Sequence, residues 1–112
     1  MYGPGYRPGA GGRPNLWAPN AISPNNEDGE NDVFLIFSGP NTLNKINSLQ
    51  IYDRWGNQVF RKENIQPNDY KQGWNGRFRG QTMTPAVFVW WAEVELVSGQ
   101  TILLKGDVTI VD

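Results

Sequence analysis

Glu93 and Glu95 stand two apart in a stretch of alternating residue types. On a strand, residues at that spacing share a face and sit roughly 7 Å apart, a separation used by carboxylate pairs in some glycoside hydrolases. Acid–base work would need one of the two pKa values raised by burial or by a neighbouring charge. Nothing beside them in sequence supplies either, so the plainer reading is two face charges in water. A small carboxylate hydrolase is the chemical competitor.

The run Ser23-Pro24-Asn25-Asn26-Glu27-Asp28-Gly29-Glu30-Asn31-Asp32 is rich in side-chain oxygens, which hard cations favour. Asn25, Asn26, Asp28, Glu30 and Asp32 are the candidate calcium ligands. The twelve-residue EF-hand loop does not fit: with Gly29 at its sixth position, Pro24 falls on the first and Leu35 on the twelfth, and neither ligates. The competing reading is an Asx-rich loop whose Asn and Asp side chains cap their own backbone. No other cofactor is suggested.

Outward aromatic rings can stack on sugars. Trp91 and Trp17, with Tyr52 behind them, are the residues for such a platform, which keeps an extracellular adhesion or carbohydrate-binding module open as an alternative. Asp53-Arg54-Trp55-Gly56-Asn57 reads as a tight turn with its Trp and Gly folded onto the core. Gly73-Trp74-Asn75-Gly76 reads as a turn freed by two glycines and anchored by Trp74.

With no Cys and no His, thiol nucleophiles, His bases and nearly every zinc pattern are excluded. The net charge of −1 leaves no basic excess to neutralise phosphates, so nucleic acid is not an expected partner. No apolar run approaches the ~18–20 residues of a membrane helix, and none follows the N-terminal charges as a signal peptide requires. Membrane insertion is not expected.

The elements that must position these residues are strands. Residues 1–14 hold five Gly and three Pro and read as a flexible linker or expression remnant. Residues 15–112 form the folded domain. At 112 residues, with 38% hydrophobic content, there is room for one two-layer core. Extended pieces are expected at 16–22, with Pro19 marking an edge, and at 33–37, 49–54, 58–61, 85–97 and 101–111. Short strands separated by Gly and Asn turns, with no capped 3.6 period, indicate an all-β, Ig-like antiparallel sandwich of about seven strands.

The last hairpin can be registered. If Glu93 and Glu95 face water, Phe88, Trp90, Ala92, Val94 and Leu96 face the core, and Val87, Val89 and Trp91 face outward. Lys105, Asp107 and Thr109 should then be outward, and Ile102, Leu104, Val108 and Ile110 inward. A three-residue loop, Val97-Ser98-Gly99, keeps these faces consistent and places Gly99 at the left-handed position. It sets Val94 opposite Ile102, Trp90 opposite Gly106 and Trp91 opposite Lys105, a surface cation–π pair. Trp91, Val89, Lys105 and Asp107 are the expected partner-binding residues, and pairing through an exposed edge strand is a further mode.

Six segments in order carry a resemblance: Pro19-Asn20-Ala21-Ile22-Ser23-Pro24-Asn25; Asp28-Gly29-Glu30-Asn31-Asp32-Val33-Phe34; Ile51-Tyr52-Asp53-Arg54-Trp55-Gly56-Asn57-Gln58-Val59-Phe60; Gly73-Trp74-Asn75-Gly76; Pro85-Ala86-Val87-Phe88-Val89-Trp90; and Lys105-Gly106-Asp107-Val108-Thr109-Ile110. Together they resemble the gliding-motility-associated C-terminal domain, the type B sorting domain of type IX secretion. Ala86 stands where that family usually has Gly. The resemblance implies an Ig-like sandwich without catalysis, fused behind an N-terminal cargo. It implies recognition by the outer-membrane translocon and its associated barrel proteins. The product, secreted or held at the cell surface, would pass through the periplasm.

Overall fold

The computed structural model describes residues 15–23, 33–78, 81–82 and 86–111. The linker expected at 1–14 and the five candidate calcium ligands lie outside the described residues. Regular structure among those described is strand, apart from one 3-10 turn at Tyr70–Gln72.

Strict alternation decides the longest strands. Of these, β8 (Ala86–Leu96) buries Phe88, Trp90, Ala92, Val94 and Leu96, and turns Val87, Val89 and Trp91 to solvent. In β9 (Thr101–Ile110), Leu104, Val108 and Ile110 are buried. The two pair antiparallel with Val94 opposite Ile102, Trp90 opposite Gly106 and Trp91 opposite Lys105, the expected register. The loop closes through Leu96 N–H to Gln100 O and Gly99 N–H to Leu96 O, both 2.8 Å. Gly99 has φ 92°, which its lack of a Cβ permits.

On the other side of β8 runs β4 (Leu43–Tyr52), followed at the sheet edge by β5 (Gln58–Ile65). Sequence alternation foresees β4 only from residue 49, because its first half does not alternate by two. Its buried residues are Leu43, Ile46, Leu49 and Ile51. The register against β8 slips at Asn44 and again at Asn47, so each bulge adds one residue between inward positions. A spacing of two thereby becomes three and hides the strand. In β5 the polar run Arg61-Lys62-Glu63-Asn64 conceals the second half. Lys62 pairs with Leu49, a core position, so a charge sits on the inward side of an edge strand. Asn64, with φ 56°, twists the edge further. Both features discourage another chain from adding to this edge.

Residues 16–22 are not one strand. Pro19, which has no N–H to donate, lies between β1 (Leu16–Trp17) and β2 (Ala21–Ile22). The chain changes layers there. β2 joins the large sheet parallel to β9, with Ala21 opposite Thr109 and Ile22 opposite Ile110. The sheet order is β2-β9-β8-β4-β5.

The facing layer is built from short pieces. β1 pairs with β3 (Phe37–Ser38), and β6 (Arg77–Phe78) pairs with β7 (Gln81–Thr82). Phe34 and Trp74 make a two-bond bridge at 2.7 and 2.9 Å. The strand expected at 33–37 is therefore assigned only at its end, although Phe34, Leu35 and Ile36 are fully buried. Asn68 stands in for a strand neighbour: its amide accepts from Ser38 N–H and donates to Ser38 O, each at 3.0 Å. The layers meet through Phe34 against Trp90 and Trp74 against Phe88, with ring centroids 5.3 and 5.2 Å apart. This is an all-β, Ig-like sandwich.

Around Trp74, Gly76 has φ 79°, as its freedom suggests, but Gly73 has φ −80° and needs none. Its role is close approach. A Cβ there would lie 2.2 Å from Val33 Cγ1 and 2.6 Å from the Phe34 carbonyl oxygen.

Candidate protein-recognition surface

Strand parity places a second, outward set of residues on the large sheet. Across it run two adjacent rows, Lys105–Trp91–Gln50–Arg61 and Asp107–Val89–Tyr52–Gln58. Directly opposed residues in such rows lie about 4.5–5.5 Å apart at Cβ. The β4–β5 half is knitted together. The Tyr52 hydroxyl donates to Gln50 Oε1 at 2.5 Å, and the Gln58 amide reaches Gln50 Oε1 at 3.1 Å and Tyr52 Oη at 3.0 Å. Arg61 pairs with Glu63 at 2.7 Å.

The β8–β9 half is apolar and unclaimed. Val87, Val89, Trp91 and Leu103 are 51%, 49%, 39% and 68% exposed. Lys105 and Asp107 flank Trp91 and Val89, and neither has an ion-pair partner among the described residues. The four residues expected to bind a partner are thus brought together. The Lys105 ammonium does not lie over the Trp91 ring. A strongly hydrated ammonium on a flexible stem gains little from the ring at an exposed site. The cation–π pair among the described residues is Arg54 over Trp55, 4.7 Å from the ring centroid. Leu103 belongs to the same patch and was legible from parity alone, lying midway between Thr101 and Lys105.

Glu93 and Glu95 are on this face too, but half-buried rather than free in water. The Asn47 amide donates to Glu93 Oε2 at 2.8 Å, and the Asn44 amide to Glu95 Oε2 at 2.6 Å. These are the two bulge residues, so the extra residue in each bulge becomes an amide donor to a carboxylate across the strands. The pair fastens β4 to β8.

The 53–57 turn departs from expectation. Trp55 is not folded onto the core; it is 74% exposed. The turn is held instead by Asp53, whose Oδ1 accepts from Trp55 N–H and Asn57 N–H at 2.9 Å each, and whose Oδ2 accepts from the Asn57 amide at 3.0 Å. Backbone bonds Asp53 N–H to Asn57 O and Gly56 N–H to Asp53 O complete it. Desolvation pushes the Asp53 carboxyl up, but the donors from Asn57, Trp55 and Gly56 outweigh it, and its pKa lies below the usual value of 3.8. An Asp at a strand end, with Asn four residues on and Gly between, was the signal for a self-capped turn needing no core anchor.

Trp17 is half-buried and stacked on Phe37, with centroids 6.3 Å apart, and Phe37 lies 6.2 Å from Tyr70. Tyr52 is tied into the Gln50–Gln58 network. Trp17 thus shares one ring face with Phe37 and Tyr52 is held by its hydroxyl, while Trp91, the third sugar-platform candidate, lies in the exposed strip. Among the described residues no cluster of three acidic side chains could hold a metal.

The outer face of β8 and β9 thus leaves an apolar strip in solvent, with Lys105 and Asp107 beside it. Residues 16–110 match the CHU_C type IX secretion signal domain family, and the chain belongs to it. No curated protein matches the chain. The domain is a sorting signal of the type IX pathway, recognised by the secretion machinery and directing export toward the cell surface or medium. The family is one of signal modules rather than catalysts.

Proposed function

We propose that the folded domain is read from the periplasmic side by the outer-membrane translocon and its associated barrel proteins, carrying a fused cargo with it. The domain itself performs no chemistry. The docking surface is the outer face of β8 and β9, centred on Trp91 and Val89 with Lys105 and Asp107 beside them. The supporting observation is that the apolar members of this strip are left in water while Gln50, Tyr52, Gln58, Arg61 and Glu63 on the neighbouring β4–β5 face are engaged in side-chain pairs. Apolar centres with charged margins are where binding energy concentrates in protein interfaces.

The test is a reporter placed between a signal peptide and the whole 112-residue chain in a bacterium with a type IX system. The wild-type fusion is expected at the surface or in the medium. A Val89→Ser/Trp91→Ala double variant is expected to leave the reporter in the periplasm while the isolated domain keeps its far-UV signal. Export of the variant at the wild-type level removes this face from the mechanism. Periplasmic retention of the wild-type fusion removes the sorting role itself.

A further inference from the structure

The five tryptophans do not share one environment. Trp74 and Trp90 are in the core, Trp17 is stacked on Phe37, and Trp91 lies in the sheet face. Trp55 alone stands clear of the body at a turn tip, 74% exposed. An indole left in water forgoes the large burial that the ring can provide. A turn that merely had to reverse the chain could carry a small polar residue there.

The turn is nevertheless built rigidly around it. Asp53 accepts from two backbone N–H groups and one amide, and Gly56 adopts φ 87° with nothing within 4 Å of where its Cβ would be. The Trp55 backbone is thereby fixed by its own N–H to Asp53. Arg54 lies over the indole and has no ion-pair partner among the described residues. Both Asp53 carboxylate oxygens are hydrogen-bonded within the turn, so the tip presents an indole and a guanidinium that makes no direct ion pair among the described residues.

We propose that the Arg54–Trp55 tip is a second recognition element: a pre-organised anchor that enters an apolar pocket with a carboxylate at its mouth on the protein that reads the domain. This rests on the sorting role, but not on the β8–β9 face. Trp and Arg are the residues most enriched where truncation hurts binding, and a pre-ordered anchor loses little freedom on docking. The charge at the tip selects an acidic rim. A sugar is the weaker occupant, because one indole face is covered by Arg54 and no free carboxylate stands beside the ring. Position supports one partner covering both elements. The turn follows Tyr52, which pairs with Val89 in the centre of the apolar strip.

The test uses the whole-chain reporter fusion with Trp55→Ala, Trp55→Phe, Arg54→Glu and Arg54→Lys. The isolated variants should melt within about 3 °C of wild type, as befits exposed positions. Loss of a hot-spot Trp corresponds to an affinity loss on the order of 30-fold. The exported-to-periplasmic ratio should therefore fall about tenfold or more for Trp55→Ala and Arg54→Glu, and much less for Trp55→Phe and Arg54→Lys. If wild type is exported and Trp55→Ala is exported equally, the anchor is disproved while the sorting role stands. Equal loss for Arg54→Lys and Arg54→Glu disproves the acidic rim. Wild-type binding to phosphatidylglycerol vesicles or arrayed glycans that Trp55→Ala abolishes assigns the tip to a lipid or sugar and overturns the protein pocket.

Discussion

Replacing each of the two core tryptophans by phenylalanine separates packing from hydrogen bonding in this sandwich. Trp74 and Trp90 are 1% and 2% exposed, and each lies against a phenylalanine of the opposite layer. Shrinking either ring forfeits apolar contact and leaves a small void, about 1–2 kcal/mol in each case. Their N–H groups differ. Trp74 Nε1 donates to Arg77 O at 2.9 Å, whereas Trp90 Nε1 has no partner among the described residues. Trp74→Phe therefore loses a further ~1 kcal/mol of net hydrogen bonding. Trp90→Phe instead removes an unsatisfied donor whose burial costs about 1–3 kcal/mol, offsetting most of the packing loss. The expected totals are a destabilisation of about 2–3 kcal/mol for Trp74→Phe and within about 1 kcal/mol of wild type for Trp90→Phe. For a domain near 100 residues the two melting temperatures should differ by roughly 10 °C. Urea unfolding followed by far-UV circular dichroism measures both. If Trp90→Phe proves as damaging as Trp74→Phe, the assignment of Trp90 as an uncompensated donor is wrong.

Two further outcomes follow from the turns. Gly73→Ala forces a methyl into Val33 and the Phe34 carbonyl and should destabilise by about 1–3 kcal/mol; an unchanged urea midpoint would show that the Phe34–Trp74 bridge yields freely. Because the folded pKa of Asp53 lies below 3.8, its contribution to stability is present above that value and is lost as pH falls through the folded pKa. Melting temperature measured from pH 6 to pH 2 should fall more steeply at the acid end for wild type than for Asp53→Asn, and parallel curves would contradict the turn's charge dependence.

Where alternation by two was unbroken, residues alone fixed the outcome. The β8–β9 hairpin, its loop and its register follow from the residues, because a one-residue slip would expose Trp90 and Val94. Alternation failed where the backbone departs from it. The bulges at Asn44 and Asn47 stretch the apolar spacing of β4, and neither asparagine advertises that it will serve a glutamate on the next strand. At Pro19 the missing donor was legible as an edge, but not the transfer of the chain from one layer to the other. The outward strip on β8 and β9 followed from parity. The Trp55 tip did not, because a Trp beside a Gly suggests a ring tucked into the core, and only the Asp53 hydrogen bonds reveal a turn that holds itself.

The parallel seam between β2 and β9 has a mechanical meaning. Asn20 and Ile22 accept from Thr109 and Val111 at 3.0 and 2.9 Å, so a pull on the chain ahead of β2, resisted at the far end of β9, loads these bonds along the strands and strains them together instead of peeling them in turn. That pull reaches β1 on the opposite layer first and passes through Pro19 into β2. Both layers share such a load at once, an arrangement suited to a tag that must keep its shape until it has been read.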